Sequence, residues 1–229
     1  MTGIRLDAVS VRLGDADILH DVTLDLDART IAVIGENGSG KSTFARLLGG
    51  LTPPTAGSVS VLGLDPVAQA ADLRRRVAVV FSNPDAQIVL PTVAEDVAFS
   101  LRAQKLPRAE AAERVVRALD RFGLTALAEH SSHDLSGGQK QLLALCGAFI
   151  RTPGLVIADE PTAYLDARNA RRVADHLFAE EHGHRLVLVT HDLALAERCD
   201  AAVLFADGRI AGVGTPAEVV AEYEASIRW

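Results

Sequence analysis

The stretch Thr30–Thr43, "TIAVIGENGSGKST", decides how the rest of the chain reads. Its first half is a continuous apolar run ending at glycine, the texture of a strand buried on both faces, as in a parallel sheet under helices. Its second half, Gly35–Thr43, matches G-x-x-x-x-G-K-[ST]. Gly35, Gly38 and Gly40, with Glu36, Asn37 and Ser39 between them, let backbone N–H groups curl around a polyphosphate, and the helix that follows adds a favourable dipole. Lys41 would reach the β- and γ-phosphates, the Ser42 hydroxyl would ligate magnesium, and Thr43 closes the motif. Because strand, loop and helix occur in the required order, a nucleotide site is favoured over a glycine-rich turn that binds nothing.

The whole chain is compatible with such a site. It has 229 residues, 48% hydrophobic and 23% charged, enough to bury a sizeable core as one large domain or a domain with a subdomain. The net charge of −7 argues against a nucleic-acid partner, which a basic face would attract. No apolar run approaches the roughly 18–20 residues of a membrane helix. The N-terminus, "MTGIRLDAVS", lacks the basic-then-apolar order of a signal peptide. Cys146 and Cys199 stand far apart without a partner motif, which speaks against a disulfide scaffold or thiolate metal site and suits a reducing cytosol. These bounds describe a soluble, acidic, intracellular protein whose part in any membrane process would run through a partner.

Outward from the central motif the texture varies. Val9, Val11 and Leu13, then Val22, Leu24 and Leu26, stand two apart with polar residues between, the pattern of half-buried antiparallel strands. The buried-strand texture returns at "VAVVF", "GLVIAD" and "RLVLVTH", with helical stretches between, so the outer parts of the chain read as α/β. From about Thr92 to Thr152 the pattern is helical without strand candidates, which reads as an inserted helical subdomain. There Val115, Val116, Leu119 and Phe122 are assigned to one face, and Pro107 to the first turn of that helix. Asp207-Gly208 between two apolar runs signals a hairpin.

Three further motifs carry chemistry. "LVIADE" ends an apolar strand in Asp159, which places a carboxylate beside the magnesium, and Glu160, one residue on, is placed to polarise a water for in-line attack on the γ-phosphate. "LSGGQK" offers a hydroxyl and two glycines, Ser136, Gly137 and Gly138, then Gln139, just before an apolar helix: a second anion-binding helix start. "VTHD" leaves His191 where a strand C-terminus meets the ligand crevice, suited to a γ-phosphate hydrogen bond.

The order "GENGSGKST", "LSGGQK", "LVIADEPTAYLD", "VTHD" resembles the nucleotide-binding subunit of an ATP-binding-cassette (ABC) transporter over nearly the whole chain. The resemblance implies an α/β P-loop NTPase core with an N-terminal antiparallel β-subdomain and an inserted α-helical subdomain at about 92–152, all within one ATP-binding domain over residues 1–229. It implies ATP and Mg2+ as ligands, and ATP hydrolysis. Two copies would pair head to tail, each ATP lying between Gly35–Thr43 of one and Ser136–Gln139 of the other, and one complete motif set favours a homodimer. Glu160 matches the general base, Asp159 the magnesium carboxylate, His191 the switch histidine and Asp166 the loop that communicates across the pair. Relatives often carry a small residue where Tyr164 stands.

Two positions depart from the pattern. The adenine-stacking aromatic is replaced by Leu13, which packs on a purine without a π-face, so modest affinity and weak discrimination between ATP and GTP are expected. The glutamine that reaches toward magnesium and the attacking water is replaced by the shorter Ser82, with Asn83 and Gln87 as alternatives further along. The run "FSNPDAQ" followed by "TVAEDVAF" nevertheless resembles the energy-coupling-factor (ECF) branch of importers, in which the segment around the second glutamine, here Gln87, meets integral membrane subunits. That places the chain peripherally, on the cytoplasmic side of the cell inner membrane. Ending at Trp229, without the long C-terminal extension of some relatives, it most resembles the biotin-uptake subunit, with cobalt or nickel uptake the next choice and a soluble non-transport ABC ATPase the alternative class. His130, His133, His182 and His184 are expected to be solvated loop residues rather than metal ligands.

Overall fold

A computed structural model describes residues 3–227, with nothing described of the His182 side chain; Trp229 lies outside the described residues. In chain order the strands are β1 (Ile4–Leu13), β2 (Ala16–Leu26), β3 (Thr30–Gly35), β4 (Ala56–Val61), β5 (Val77–Val80), β6 (Leu155–Asp159), β7 (Arg185–Val189), β8 (Ala201–Ala206) and β9 (Arg209–Gly214). The helices are α1 (Lys41–Leu48), α2 (Ala70–Arg76), α3 (Val93–Phe99), α4 (Arg108–Arg121), α5 (Gly137–Phe149), α6 (Ala167–Phe178), α7 (Leu193–Ala196) and α8 (Pro216–Ser226). They fall into two compact units. The first contains the chain up to Val77, Ile157–Glu160 and everything from Arg185; the second contains Ala78–Val156 and Pro161–His184.

In the first unit an antiparallel sheet has the order β2-β1-β4, and those strands of the larger, six-stranded sheet that reach into this unit run β6-β7-β3-β8-β9. The alternation read from Val9, Val11, Val22 and Leu24 is real, and all four are buried. A shift of register between Leu6 and Val9, with Ala8 at φ 49 and Asp21 at φ 53, keeps Leu6 and Val9 on the buried face despite their odd spacing. β3 is buried at every residue and pairs in parallel with both β7 and β8, as a run without alternation requires. Helix α1 packs on β3 and β7, and the Phe44 ring lies 5.0 Å from that of Phe205. Asp207 (φ 46) and Gly208 (φ 73) turn β8 into β9, forming the expected hairpin.

In the second unit, α3 starts at a capping box in which Thr92 accepts from Glu95 N and the Glu95 carboxylate accepts from Thr92 N. The buried Asp96 side chain accepts from Val89 N (2.7 Å) and Leu90 N (2.9 Å), which fixes the end of the preceding loop. On α4, Val115, Leu119 and Phe122 are buried as expected, but Val116 is 61% exposed. Steps of four and three keep 115, 119 and 122 on one stripe, whereas 116 lies about 100° round the helix from 115. Pro107 is the residue before the helix, its N-cap, not part of the first turn. Phe122 stacks on His176 at 4.2 Å and packs against Phe149.

The histidines divide. His130 and His133 are exposed. His184 is buried at 2%, its Nε2 lies 2.8 Å from Leu177 O and its ring meets Phe149 edge-on, which overturns the solvated-loop expectation. The cause is packing against the end of α6, which sequence spacing does not reveal. Among the described residues no group of His, Cys, Asp and Glu is placed to hold a metal ion, and no helix is long and apolar enough to cross a membrane.

Candidate nucleotide site

The first unit brings the Gly35–Thr43 loop together with Asp159, Glu160 and His191. After β3 the chain enters left-handed backbone at Gly35 (φ 142), Gly38 (φ 83) and Gly40 (φ 103). At Gly35 a Cβ would lie 2.1 Å from Phe205 O, so only glycine lets the loop leave the sheet there. Gly40 caps α1 without a side-chain hydrogen bond, and the first turn of that helix carries no acidic residue. The opening N–H groups of the helix are thereby left for an anion. The Ser39 hydroxyl is buried and has no hydrogen-bond partner among the described residues, and a buried polar atom of this kind calls for one. Both features fit a polyphosphate. Lys41 Nζ donates to Gly35 O (2.8 Å) and Glu36 O (2.7 Å), bracing the loop, and burial lowers the pKa of its ammonium.

The end of β6 completes the cluster. Ser42 Oγ donates to Asp159 Oδ1 at 3.0 Å, so the two oxygen ligands expected for a divalent cation already touch. Burial raises the Asp159 pKa, opposed by the Ser42 hydrogen bond and then by Arg46 and Lys41. Glu160 follows at φ 50, and its N–H donates to Val189 O (2.9 Å), which ties the turn to β7. Its carboxylate Oε2 lies 2.7 Å from His191 Nδ1. Burial pushes the Glu160 carboxyl above the ordinary glutamate range, with the charge and hydrogen bonding of His191 opposing it. His191 itself is largely exposed, and the buried Thr190 before it accepts from Asp192 N through Oγ1 (2.9 Å). Leu13, at the end of β1, is exposed.

The remaining positions lie in the second unit. Ser136 and Gln139 form a capping box: Ser136 Oγ accepts from Gln139 N, and Gln139 Oε1 accepts from Ser136 N at 2.8 Å. Ser136 and Gly137 are exposed, while Gly138 is buried, and a Cβ there would come within 2.4 Å of the Asn169 side chain. Asp166 caps α6, accepting from Asn169 N (2.9 Å) and Asn169 Nδ2 (2.7 Å), bonds that hold its carboxyl below the usual range.

The loop after β5 is bonded to its own backbone. Gln87 does not point out of the loop: its Oε1 accepts from Phe81 N (2.8 Å) and its Nε2 donates to Val79 O (2.9 Å). Asn83 Oδ1 accepts from Asp85 N (3.1 Å). Both alternatives to the missing glutamine are committed to backbone partners, which leaves the half-buried Ser82 alone at that position. Three residues that sequence reasoning passed over complete this region. Lys140 Nζ pairs with Asp85 Oδ1 at 2.8 Å, and the buried Gln141 donates to Phe81 O at 3.2 Å, so the start of α5 is bonded to the loop. Lys140 and Gln141 directly follow the Ser-Gly-Gly-Gln motif, and that adjacency was the available signal.

Residues 19–163 match the family model described as "ABC transporter". The biotin transport ATP-binding protein BioM of Rhizobium etli is 41% identical over 220 residues, covering 96% of this chain and 97% of that protein. The energy-coupling factor transporter ATP-binding protein EcfA1 of Symbiobacterium thermophilum is 45% identical over 206 residues, covering 87% of this chain and 72% of that one. Among solved structures, the dimeric post-hydrolysis state of the ATP-binding cassette MJ0796, bound to ADP and Pi, superposes with a TM-score of 0.83 at 27% identity, covering 93% of this chain and 98% of that one.

Proposed function

The chain belongs to the ABC transporter family as an ATP-binding, ATP-hydrolysing subunit, and we propose that it drives an ECF-type importer whose cargo is a vitamin, biotin before any other. The observation that carries the motor reading is the cluster itself: Ser42 on Asp159 and His191 on Glu160, at the mouth of the Gly35–Thr43 loop. In this reading the loop amides, Ser39 and Lys41 hold the phosphates of ATP. Ser42 and Asp159 would hold Mg2+, which when bound polarises the phosphoryl oxygens. Glu160 takes the proton of the attacking water; its partial burial makes it a stronger base than a solvated carboxylate. His191 holds the carboxylate in place and faces the γ-phosphate.

Two copies sandwich ATP between Gly35–Thr43 of one and Ser136–Gln139 of the other, and closure and opening of this homodimer is the power stroke. The helical segment at 92–152 transmits it to integral membrane subunits at the cytoplasmic face. The membrane contact belongs to the region around Gln87 rather than to its amide. Asp85, Ala86 and Val89 are exposed there, while Gln87 fixes the loop's shape from within. The biotin assignment rests on the likeness to BioM together with the ECF-like loop. Co-purification of the chain with its membrane subunits, followed by uptake of labelled biotin against labelled cobalt, tests it: biotin uptake supports the reading, and cobalt uptake alone replaces the cargo.

A further inference from the structure

Helix α4 carries Arg114, Arg117 and Arg121 at steps of three and four, which sets the three side chains along one stripe. That stripe borders a cavity of about 550 Å³, whose lining also includes Phe122 and, at the end of α5, Phe149. The volume is in the range of small-ligand sites. Among the described residues the lining lies wholly in the second unit, so the cavity shares no residue with the Gly35–Thr43 loop. In a chain of net charge −7 it is a local concentration of the opposite sign: the three arginines face a single lining carboxylate, Asp120.

The carboxylates that pair with these arginines stand outside the lining. Arg114 Nη2 donates to Glu110 Oε1 (2.8 Å) and its Nη1 to Gln104 Oε1 (3.2 Å), while Gln104 Nε2 donates to Arg151 O (3.4 Å). Two acceptors on neighbouring turns thus hold this guanidinium in a set place, which lowers the cost of binding to it. The ion pairs of Arg117 and Arg121 are longer, 3.7 Å to Glu113 and 3.6 Å to Glu181, and join exposed side chains. Exposed pairs of this kind contribute little to stability, so exchanging them for ligand oxygens costs little.

We infer that this cavity is a second anion site, which takes a small ligand bearing two or more phosphate groups and grips it with Arg114, Arg117 and Arg121. A guanidinium keeps its charge at any physiological pH, and its fork of N–H donors matches the oxygens of a phosphate. From Arg114 to Arg121 the helix advances roughly 10 Å, too far for one phosphate to meet all three. The matching ligand is therefore a linear oligophosphate or a metabolite phosphorylated at separated positions. Phe122 and Phe149 are buried and leave little ring face for a base to stack on, so the phosphates carry the recognition.

Isothermal titration calorimetry of the full-length chain, saturated with ADP and excess Mg2+ so that the loop is occupied, tests it. The probes are inorganic tripolyphosphate and fructose 1,6-bisphosphate. At least one should bind once per chain with a Kd below about 0.1 mM, and the tighter of the two identifies which kind of ligand the cavity takes. Inorganic phosphate should bind at least about tenfold more weakly than that probe. Arg117→Gln combined with Arg121→Gln should weaken the tighter probe about tenfold or more, and Arg117→Gln alone about threefold. The far-ultraviolet circular dichroism of both variants should match that of the parent. Three results overturn the inference: both probes binding more weakly than about 0.1 mM, inorganic phosphate binding as tightly as the probes, or Arg117→Gln and the double variant binding as the parent does.

Discussion

His191 Nδ1 stands 2.7 Å from Glu160 Oε2, with the imidazole largely in solvent and the carboxylate mostly out of it. The pair joins the ends of two adjacent strands, since Glu160 N also donates to Val189 O. A half-buried carboxylate beside a histidine is a candidate for a general base, which the predictions below test.

Glu160→Gln keeps the shape and removes the basicity. Steady-state ATP turnover should fall about 10²–10⁴-fold while ATP still binds, and the chain should accumulate as an ATP-bound dimer. Turnover at the parental rate would take Glu160 out of this role.

The pH dependence has a definite sign. Burial raises the Glu160 pKa, and the base form is needed, so turnover is full above the folded-state pKa and declines as pH falls through it, at a higher pH than a solvated glutamate would give. His191 opposes that rise, so His191→Ala should shift the acidic limb of the kcat profile to higher pH. An unmoved limb would mean that the residue titrating in the profile is not Glu160.

Stability follows the same linkage. A carboxyl whose folded pKa is raised contributes favourably below its unfolded pKa, and that contribution is lost as pH rises through the folded value. The thermal midpoint of Glu160→Gln relative to the parent should therefore increase from acidic to neutral pH. Scanning calorimetry of both chains across that window checks it.

The loop after β5 gives a contrast between two neighbours. Gln87→Ala removes two hydrogen bonds to Phe81 N and Val79 O, and should lower unfolding free energy by about 1–2 kcal/mol in urea titration. Ser82→Gln should leave ATP hydrolysis unchanged or raise it. Complete loss of hydrolysis in Ser82→Gln would assign Ser82 a role of its own.

At the exposed Leu13, an aromatic should add base stacking. Leu13→Tyr is expected to tighten ATP binding by up to about 1–3 kcal/mol and to widen the difference between ATP and GTP, as measured by calorimetric titration. Equal dissociation constants for variant and parent would remove Leu13 from the base site.

What was legible in the sequence was whatever is encoded by local spacing. The glycines of 35–43, the buried run of β3, the Thr92–Glu95 helix start and the Asp207-Gly208 hairpin all depend on neighbours within a few residues, and each is where it was expected. Less legible was whatever depends on direction or distant packing. A glutamine's letter does not tell whether its amide faces a partner or its own backbone, and the Gln87 amide bonds inward. His184 looked like a loop residue because the α6 end that buries it is seven residues away in sequence. Val116 failed for a simpler reason: one helical step moves a side chain off its stripe. In the site, Ser42, Asp159, Glu160 and His191 come from three separate segments, and only the folded chain shows that they form two touching pairs.

The central claim is that hydrolysis at Glu160 powers vitamin import through membrane subunits. The most direct measurement is uptake of labelled biotin into vesicles that carry the complete transporter, with ATP on the side of this subunit, comparing the parent chain with Glu160→Gln. The account predicts ATP-dependent biotin accumulation with the parent and background accumulation with Glu160→Gln. Equal accumulation with both chains would contradict the claim.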